Sequence, residues 1–482
     1  MDAIRKNQTC EVGITDLSNL GYGVGRIGDL VVFVSGAVDG DRVEIKIIKV
    51  AKNYAVGRLE KILSPSPHRL PVPDPCPARG CGGCAYRAIA YAHELELKRN
   101  AVRSAFRRAG LPDAKVAPVL STGKTAHYRN KAQYPVTGTP DAPAIGFFAP
   151  KSHRVTDARK CPLQPALFGE ILDEIAALIG RYGIDPYDEE SGTGLLRHIY
   201  LRSSKEEKEV LLTFVLNGTE LPHADEVIRE LTARFPALVG IGINVNREKT
   251  NVICGDEYRT LWGRGEITDT LAGVTLSFSP ASFYQVNRDA AELLYKKAKE
   301  IADFKGDELL LDLFCGVGSI GLSMADAVRE VVGIEIVPDA VKCANENAKR
   351  NGIANAAFFT GDAADVERLL SGAENALGRK LVPDAVILDP PRKGCDPKLL
   401  DFLAARKIPK IVYISCNPET LARDVAYLAG KGYGFSEITP VDLFPRTGHV
   451  ESVCRLIRQR SSPPPGSPPN RSRDSWESGY GE

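Results

Sequence analysis

The segment 309–322 constrains the fold most strongly. It reads Leu-Leu-Leu-Asp-Leu-Phe-Cys-Gly-Val-Gly-Ser-Ile-Gly-Leu, the pattern of a buried strand, a glycine-rich turn and the start of a helix. Glycines let the backbone approach a nucleotide closely, and the helix N-terminus offers free N–H groups. Glu335 follows Gly318 by seventeen residues, where a carboxylate can bind both ribose hydroxyls. This spacing predicts a nucleotide cofactor and leaves a dinucleotide and S-adenosylmethionine (SAM) both open.

The chain beyond residue 290 alternates apolar strands with helical segments. The predicted strands are 309–313, 330–334, 356–359, 385–388 and 410–414. Such alternation is typical of an open parallel sheet covered by helices. The predicted fold class is therefore α/β and Rossmann-like.

Two carboxylates favour SAM as the cofactor. Asp312 precedes the glycines, where we expect it near the cationic methionine end of SAM. Asp389 opens an Asp-Pro-Pro-Arg turn, which nucleic-acid methyltransferases use to hold a planar base. A plain β-turn with two prolines fixing φ is the alternative interpretation of that turn.

Cys416 is a candidate nucleophile. It lies in Ser-Cys-Asn-Pro directly after the apolar run 411–414, on a loop leaving a buried strand. A thiol in that position beside a nucleotide site can attack a substrate. Taken alone, it would be interpreted as a buried structural cysteine.

Residues 8–63 predict a small β-barrel. Short runs of β-forming residues recur between glycine and aspartate turns, at 11–14, 30–34, 41–47 and 55–59. We expect the segment Gly21–Arg26 to be a tight, mobile loop. Barrels of this kind often bind single-stranded nucleic acid.

Four of the eleven cysteines form a separate pattern. A proline-rich hinge, 64–75, is followed by Cys76, Cys81 and Cys84, and Cys161 lies far downstream. An odd cysteine total does not suggest a disulfide framework. Four thiolates suit either tetrahedral zinc or a [4Fe–4S] cluster, and the spacing alone leaves both open.

The charge is distributed unevenly. Residues 64–161 contain 16 Lys and Arg against 6 Asp and Glu, whereas the whole chain has a net charge of only +1. This basic block predicts a surface that faces a polyanion. Part of the excess is expected on a solvated, charged helix from Glu94 to Arg108.

The hydropathy pattern and the composition of the C-terminal tail predict where the chain acts and where it is ordered. No apolar stretch reaches the ~18 residues of a membrane span, and no apolar signal core follows Met1–Lys6. We therefore expect a cytoplasmic protein with no membrane partner, acting as a monomer. The tail 459–482 is rich in Pro, Ser, Arg and Gly, which predicts disorder.

Taken in order, these motifs resemble the RNA (uracil-5-)-methyltransferase family, in its iron–sulfur, ribosomal-RNA branch. The resemblance covers roughly residues 8–457. Its elements are a TRAM-like barrel, the cysteine motif, Tyr128–Gln133, Ser282–Asn287, the glycine loop, the Asp389 turn, Ser-Cys-Asn-Pro and His449-Val450-Glu451.

The resemblance implies a covalent mechanism. Cys416 would add to C6 of uracil, which makes C5 nucleophilic enough to take the methyl group of SAM. Glu451 would then remove the C5 proton, and elimination of Cys416 would release 5-methyluridine. The cofactor and base contacts that it implies are Gln285, Phe314, Glu335 and Asp389, with Ser319 and Asp362 as further candidates.

The same resemblance implies a [4Fe–4S] cluster on the four cysteines and a uridine of 23S ribosomal RNA as the substrate. It divides the chain into a TRAM-like, OB-like barrel (1–63), a central α+β iron–sulfur and RNA-binding domain (64–278), a methyltransferase domain (279–458) and the tail. A transfer-RNA enzyme is the alternative within the same chemistry. An RNA-binding iron–sulfur sensor without methyltransferase activity is the alternative of another class.

Overall fold

The first five strands form a closed barrel. The computed structural model describes residues 4–71, 76–78, 80–150 and 152–459. The barrel strands are hydrogen-bonded in the order β1-β2-β3-β5-β4, with bounds β1 Thr9–Leu17, β2 Tyr22–Ile27, β3 Leu30–Ser35, β4 Arg42–Val50 and β5 Tyr54–Ser64. Alternate aliphatic side chains, Val12, Val32 and Val34 among them, fill its core. The predicted barrel is confirmed.

The segment Gly21–Arg26 is not a mobile loop, and that prediction was wrong. It contributes strand β2, which pairs with β1 and β3. A Cβ at Gly23 would lie 2.9 Å from the Cβ of Ala37, and one at Gly25 would collide with Val12. These glycines therefore permit close packing inside a barrel strand.

The central part contains a helix and a seven-stranded mixed sheet. The sheet order is β12-β11-β10-β9-β6-β7-β8, and β13 and β14 form a separate hairpin. The apolar runs 210–215 and 239–245 of the sequence lie in β10 and β11. The bounds are α1 Tyr91–Arg108, β6 Lys131–Thr139, β7 Ala142–Phe148, β8 Val155–Asp157, α2 Ala166–Tyr182, β9 Leu196–Ser203, β10 Val210–Leu216, α3 Ala224–Arg234, β11 Leu238–Val245, β12 Glu257–Gly263, β13 Ile267–Leu271 and β14 Val274–Phe278.

The C-terminal part is an eight-stranded sheet with helices on its faces. Its order is β17-β16-β15-β18-β19-β22-β20, with β21 pairing with β22. Strands β15 to β19 are parallel and β22 returns antiparallel to β19. The predicted Rossmann-like fold is confirmed. The bounds are α4 Arg288–Ala302, β15 Leu309–Leu313, α5 Ser319–Met324, β16 Glu330–Glu335, α6 Pro338–Arg350, β17 Ala356–Thr360, α7 Val366–Leu377, β18 Ala385–Leu388, α8 Pro397–Ala405, β19 Lys410–Ser415, α9 Pro418–Gly430, β20 Tyr433–Phe435, β21 Thr439–Val441 and β22 Glu451–Arg458.

Helix α1 packs into the C-terminal core. Val102 and Phe106 are buried in the same apolar cluster as Leu421 of α9. Glu94 and Lys98 are buried as well, so the expected solvated helix is wrong for this inner face. The helix therefore joins the cysteine-bearing segment before it to the C-terminal sheet.

Two predictions fall partly beyond the described ranges. Residues 72–75 of the hinge and 460–482 of the tail lie outside the described residues. Within the ranges that the structure does describe, no helix is both long and apolar enough to span a bilayer.

Candidate active site

A cavity of about 670 Å³ lies at the carboxyl ends of the parallel strands. Its walls come from the loops after β15, β16, β18 and β19, together with the start of β22. All six residues predicted for catalysis or cofactor binding line it: Gln285, Phe314, Glu335, Asp389, Cys416 and Glu451. Ser319 and Asp362, the two further candidates, line it too.

The glycine loop forms the floor at one end of this cavity. Gly316 has φ +55°, and its N–H donates to Oε2 of Glu335 at 3.1 Å, while Oε1 accepts from the N–H of Val337 at 3.0 Å. Gly318 has φ +81°, and a Cβ there would lie 3.0 Å from the ring of Phe358. The loop therefore needs glycine both for its conformation and for close packing.

Asp312 does not reach the cavity, contrary to expectation. It is fully buried beneath the loop, where its Oδ2 accepts from the N–H of Gly321 at 2.9 Å. Burial raises the pKa of Asp312 to about 7. Its position braces the glycine turn from below, because the residue lies inside strand β15 and its side chain points under the turn.

Cys416 and Glu451 are brought together by an antiparallel pair. Ser415, the last residue of β19, is opposite Ser452 of β22, so the residues beside them, Cys416 and Glu451, are neighbours. Asn417 caps helix α9 by accepting from the N–H of Glu419 at 3.1 Å. The same Asn417 donates from Nδ2 to the carbonyl oxygen of Arg392 at 2.9 Å, which ties the cysteine loop to the Asp389 turn.

Three acidic groups share this end of the cavity with the guanidinium of Arg392. Burial, and then the charge of Asp389, raise the pKa of Glu451 to about 8. Burial, Glu451 and Asp389 raise the pKa of Cys416 to about 11, against the opposing effect of Arg392. Burial raises the pKa of Asp389 to about 7. The resting site therefore holds protons on the thiol and on Glu451 at neutral pH.

Several cavity residues were not singled out from the sequence. Tyr295 on α4 is buried, and its hydroxyl lies 3.0 Å from Oγ of Ser319 and hydrogen-bonds Gln285. Arg392 and His449 belong to motifs recognised in the sequence, but neither was assigned a role of its own. Phe283 is an exposed side chain at the rim of the cavity. Tyr295 carries no motif, so only the helical packing of α4 could have revealed it.

Two further motifs meet behind Gln285. The N–H of Asn130 donates to the carbonyl oxygen of Val286 at 2.9 Å, and its Nδ2 donates to the carbonyl oxygen of Gln285 at 2.9 Å. Asn287 caps α4 and donates to the carbonyl oxygen of Leu443 at 3.0 Å. The backbone that carries Gln285 is thus held from both sides.

The four predicted cysteine ligands line a second cavity, of about 260 Å³. Cys76, Cys81, Cys84 and Cys161 are all half-buried there. Burial, reinforced by the neighbouring thiols, raises the pKa of Cys84 to about 12, and burial also raises the pKa of Cys81 and Cys161. Four thiolates in this place need a cationic centre to hold them.

Four thiols on one cavity suit either tetrahedral zinc or a [4Fe–4S] cluster. Among the described residues, a separate group of three side chains has its possible ligand atoms within 4.8 Å of one another: Asp39, His68 and His93.

The Asp39, His68 and His93 group does not have metal-site geometry. The two imidazole rings are stacked with centroids 3.6 Å apart and planes within 2° of parallel. An imidazole binds a metal within its own ring plane, and two parallel stacked planes share no such point. Nε2 of His93 instead lies 2.7 Å from Oδ2 of Asp39, as a hydrogen bond.

Comparisons with known proteins agree with this architecture. The TRAM domain model matches residues 5–59, and the model described as tRNA (Uracil-5-)-methyltransferase matches residues 265–459. An RNA methyltransferase from Clostridium tetani is 38% identical over 454 residues, covering 94% of this chain and 97% of the relative. One from Listeria monocytogenes is 39% identical over 454 residues, covering 94% and 98%.

A solved structure extends the similarity to three dimensions. The tRNA (uracil-54, C5)-methyltransferase of Pyrococcus abyssi, in complex with S-adenosyl-L-homocysteine, is 28% identical with a TM-score of 0.75. The alignment covers 93% of this chain and all of that chain.

The charges around Cys416 predict how fast it is alkylated. Glu451→Gln removes a carboxylate that raises the pKa of the thiol, so iodoacetamide should modify Cys416 faster at pH 9, by roughly threefold or more. Arg392→Ala removes the opposing cation and should slow the same reaction. The measurement is mass-spectrometric quantification of the Cys416 peptide over time. Cys343, outside the cavity, serves as the internal control, and equal Cys416 rates in both variants would contradict the prediction.

Proposed function

This chain belongs to the family of RNA uracil-5-methyltransferases that carry a TRAM domain, and from that membership we propose that it methylates C5 of a uridine in 23S ribosomal RNA. The observation that carries the proposal is the single cavity in which Cys416, Glu451, Asp389 and Gln285 meet the glycine loop. The proposed product is 5-methyluridine, and the proposed acting form is a monomer.

SAM supplies the methyl group when it is bound. We propose that Glu335, braced by the loop N–H groups, binds the ribose, and that Phe314 contacts the adenosine. Gln285 and Asp389 line the same cavity as Cys416, and we propose that they contact both SAM and the uracil. These placements are supported by the lining of one continuous cavity.

The proposed chemistry begins with Cys416. Binding of the substrate is proposed to release the protons of Cys416 and Glu451 to solvent. The thiolate then adds to C6 of uracil, and the electron pair of the C5–C6 bond moves into an enolate that makes C5 nucleophilic. C5 takes the methyl group, Glu451 accepts the C5 proton, and the C6–S bond breaks to restore the double bond and the thiolate. A carboxylate whose pKa is raised to about 8 is a stronger base than an ordinary glutamate, so it suits this removal. The uridine must leave its stack to reach Cys416, at a cost of a few kcal/mol.

We propose that Cys76, Cys81, Cys84 and Cys161 hold a [4Fe–4S] cluster. The resemblance carried by Cys81-Gly-Gly-Cys84 and by the remote Cys161 before a proline supports this choice over zinc. The cluster would join the segment around Cys76 to the segment around Cys161 and so act structurally. Both segments lie in the basic block 64–161, which we propose binds RNA together with the barrel in residues 1–63.

A transfer-RNA substrate is the second candidate. It is favoured by the archaeal structure with a TM-score of 0.75, whose name specifies uracil-54 of tRNA. The sensor alternative, without methyl transfer, is disfavoured by the complete set of acid, thiol and amide groups in the cavity.

Mapping 5-methyluridine in RNA from a deletion strain tests the substrate. Mass spectrometry should show one or more sites missing from 23S rRNA and restored by the wild-type gene, with tRNA unchanged. A site missing only from tRNA would replace the proposed substrate, and no missing site in either RNA would favour the sensor.

Two substitutions test the mechanism. Cys416→Ala should abolish methyl transfer with SAM affinity close to normal, because the thiol acts on the uracil. Glu451→Gln should accumulate a methylated RNA–protein adduct, because addition proceeds while elimination stalls. Denaturing gels with labelled RNA and calorimetry with SAM measure these outcomes. Normal turnover in Glu451→Gln would assign the base elsewhere, and substantial transfer by Cys416→Ala would refute covalent catalysis.

The cluster assignment is tested by metal content. Protein purified without oxygen should contain iron with little zinc and absorb broadly in the visible range. Cys81→Ser should lose iron and much of its RNA affinity but keep its SAM affinity, because the glycine loop lies in another part of the chain. Cys10→Ser is the matched control, since Cys10 is a half-buried barrel residue outside the cysteine cavity. Stoichiometric zinc in the wild type would overturn the assignment.

A further inference from the structure

The segment 442–450 connects β21 to β22 and has no regular secondary structure of its own. It contributes Phe444 and His449 to the active-site cavity and leads directly into Glu451. The position of the proposed base therefore depends on what holds this segment.

Arg446 is the most constrained residue of the segment. Its φ is +70°, a left-handed conformation that is unfavourable for arginine and persists only where the surroundings impose it. Its N–H donates to Oε1 of Glu94 at 2.7 Å, and its carbonyl oxygen accepts from the N–H of Tyr86 at 3.0 Å. Its guanidinium donates to the carbonyl oxygen of Ile89 at 3.0 Å and lies 3.5 Å from Oε2 of Glu94.

All these partners belong to residues 86–94, which begin two positions after Cys84. The ring of Tyr91, in the same stretch, lies 5.6 Å from the guanidinium of Arg446. Residues 86–94, which follow the cysteine motif and include the start of α1, therefore hold Arg446 through both its backbone and its side chain.

A buried ion-pair network also holds the part of the segment that precedes Arg446. Nζ of Lys98 donates to Glu94 at 2.8 Å, to Asp442 at 2.7 Å and to the carbonyl oxygen of Phe444 at 3.1 Å. The side chains of Lys98, Glu94 and Asp442 have no solvent exposure. Because an unpaired charge in such a place is strongly unfavourable, the three groups hold one another in register.

Other parts of the chain hold the residues on either side. The hydroxyl of Tyr128 donates to the carbonyl oxygen of Pro445 at 2.9 Å. Gly448 packs directly on the backbone of Asn19 in the barrel, where a Cβ would collide with the Asn19 carbonyl. The segment is thus fixed at several successive residues just before Glu451.

We propose that Arg446 is a positioning residue that sets Glu451 for removal of the C5 proton, with α1 and residues 86–94 as its support. This inference rests on the proposed function, in which Glu451 is the base. Glu451 lies five positions after Arg446 on the same segment, whereas Cys416 follows the neighbouring strand β19. Relaxation of the left-handed turn therefore displaces the base more than it displaces Cys416. A displacement of about 1 Å is enough to slow a chemical step by up to about a hundredfold.

Arg446→Ala tests the proposal by the step that it affects. Loss of the guanidinium contacts should lower kcat about tenfold or more, leave the dissociation constant of SAM unchanged, and raise the share of enzyme trapped as methylated RNA adduct. Arg446→Lys, which keeps the charge beside Glu94, should restore part of the loss. Should Arg446→Ala fail to fold, Arg446→Lys alone is expected to show the same rise in adduct to a smaller extent.

Arg406→Ala is the matched control. Arg406 directly follows α8, outside the cavity and the basic block, and like Arg446 it lies beside a carboxylate, Glu367 at 3.1 Å, and an aromatic ring, Phe402 at 5.4 Å. Its variant should match the wild type in adduct share. A merely structural role for Arg446 would lower turnover and adduct together, and that result would overturn the proposal.

The Glu451→Gln variant separates failure of the inference from failure of the proposed function. If Glu451→Gln accumulates adduct and Arg446→Ala and Arg446→Lys do not, the positioning role is wrong while the mechanism stands. If Glu451→Gln accumulates none, the base assignment fails and the positioning role falls with it.

Discussion

Parallel pairing of five strands is the constraint on which the rest of the structure depends. In a parallel sheet all the carboxyl ends lie at one edge, so residues scattered over more than a hundred positions meet there. Phe314, Glu335, Asp389 and Cys416 each follow or end one of these strands. The single antiparallel strand, β22, then brings Glu451 back beside Cys416. The location of the cavity is thus a consequence of sheet topology, because the functional side chains lie at the carboxyl ends of the parallel strands.

Burial gives these side chains their chemistry. Glu451, Asp389 and Cys416 each have a raised pKa because they are withdrawn from water. The charge of Asp389 raises the pKa of Glu451 further, and the charges of Glu451 and Asp389 raise the pKa of Cys416 further. Arg392 opposes this effect from the turn that Asn417 ties to the cysteine loop. With its pKa raised to about 8, Glu451 keeps its proton in the resting site. The proposed mechanism, in which Glu451 is the base, therefore requires this proton to leave before the C5 proton is removed.

Local patterns in the sequence were sufficient for much of this. The five parallel strands and the barrel were predicted because apolar runs and turn residues are local signals, and the site residues were predicted because they stand at the ends of those runs or in the motifs of the family resemblance. Strand β2 was not predicted because glycines are typical of loops. The contacts of Ala37 with Gly23 and of Val12 with Gly25, which require glycine in this strand, are tertiary and leave no local signal in the sequence. The burial of Glu94 and Lys98 was missed because their partner, Asp442, is more than three hundred residues away and no periodicity reports such a pair.

The buried pair Glu94 and Lys98 has the largest consequence for the active site. A charge in the middle of a helix is normally interpreted as solvated, so the sequence predicts a solvated helix from Glu94 to Arg108 as the source of part of the basic excess. The inner face of α1 instead carries buried, paired charges, Glu94 and Lys98, which join this helix to Asp442 in the active-site segment. Such a set contributes little net stability against an apolar replacement, but it accepts only one arrangement of its partners. Residues 86–94 begin two positions after Cys84 and also contact the segment that leads to Glu451. The positions of the cysteines and of Glu451 therefore depend on the same part of the chain.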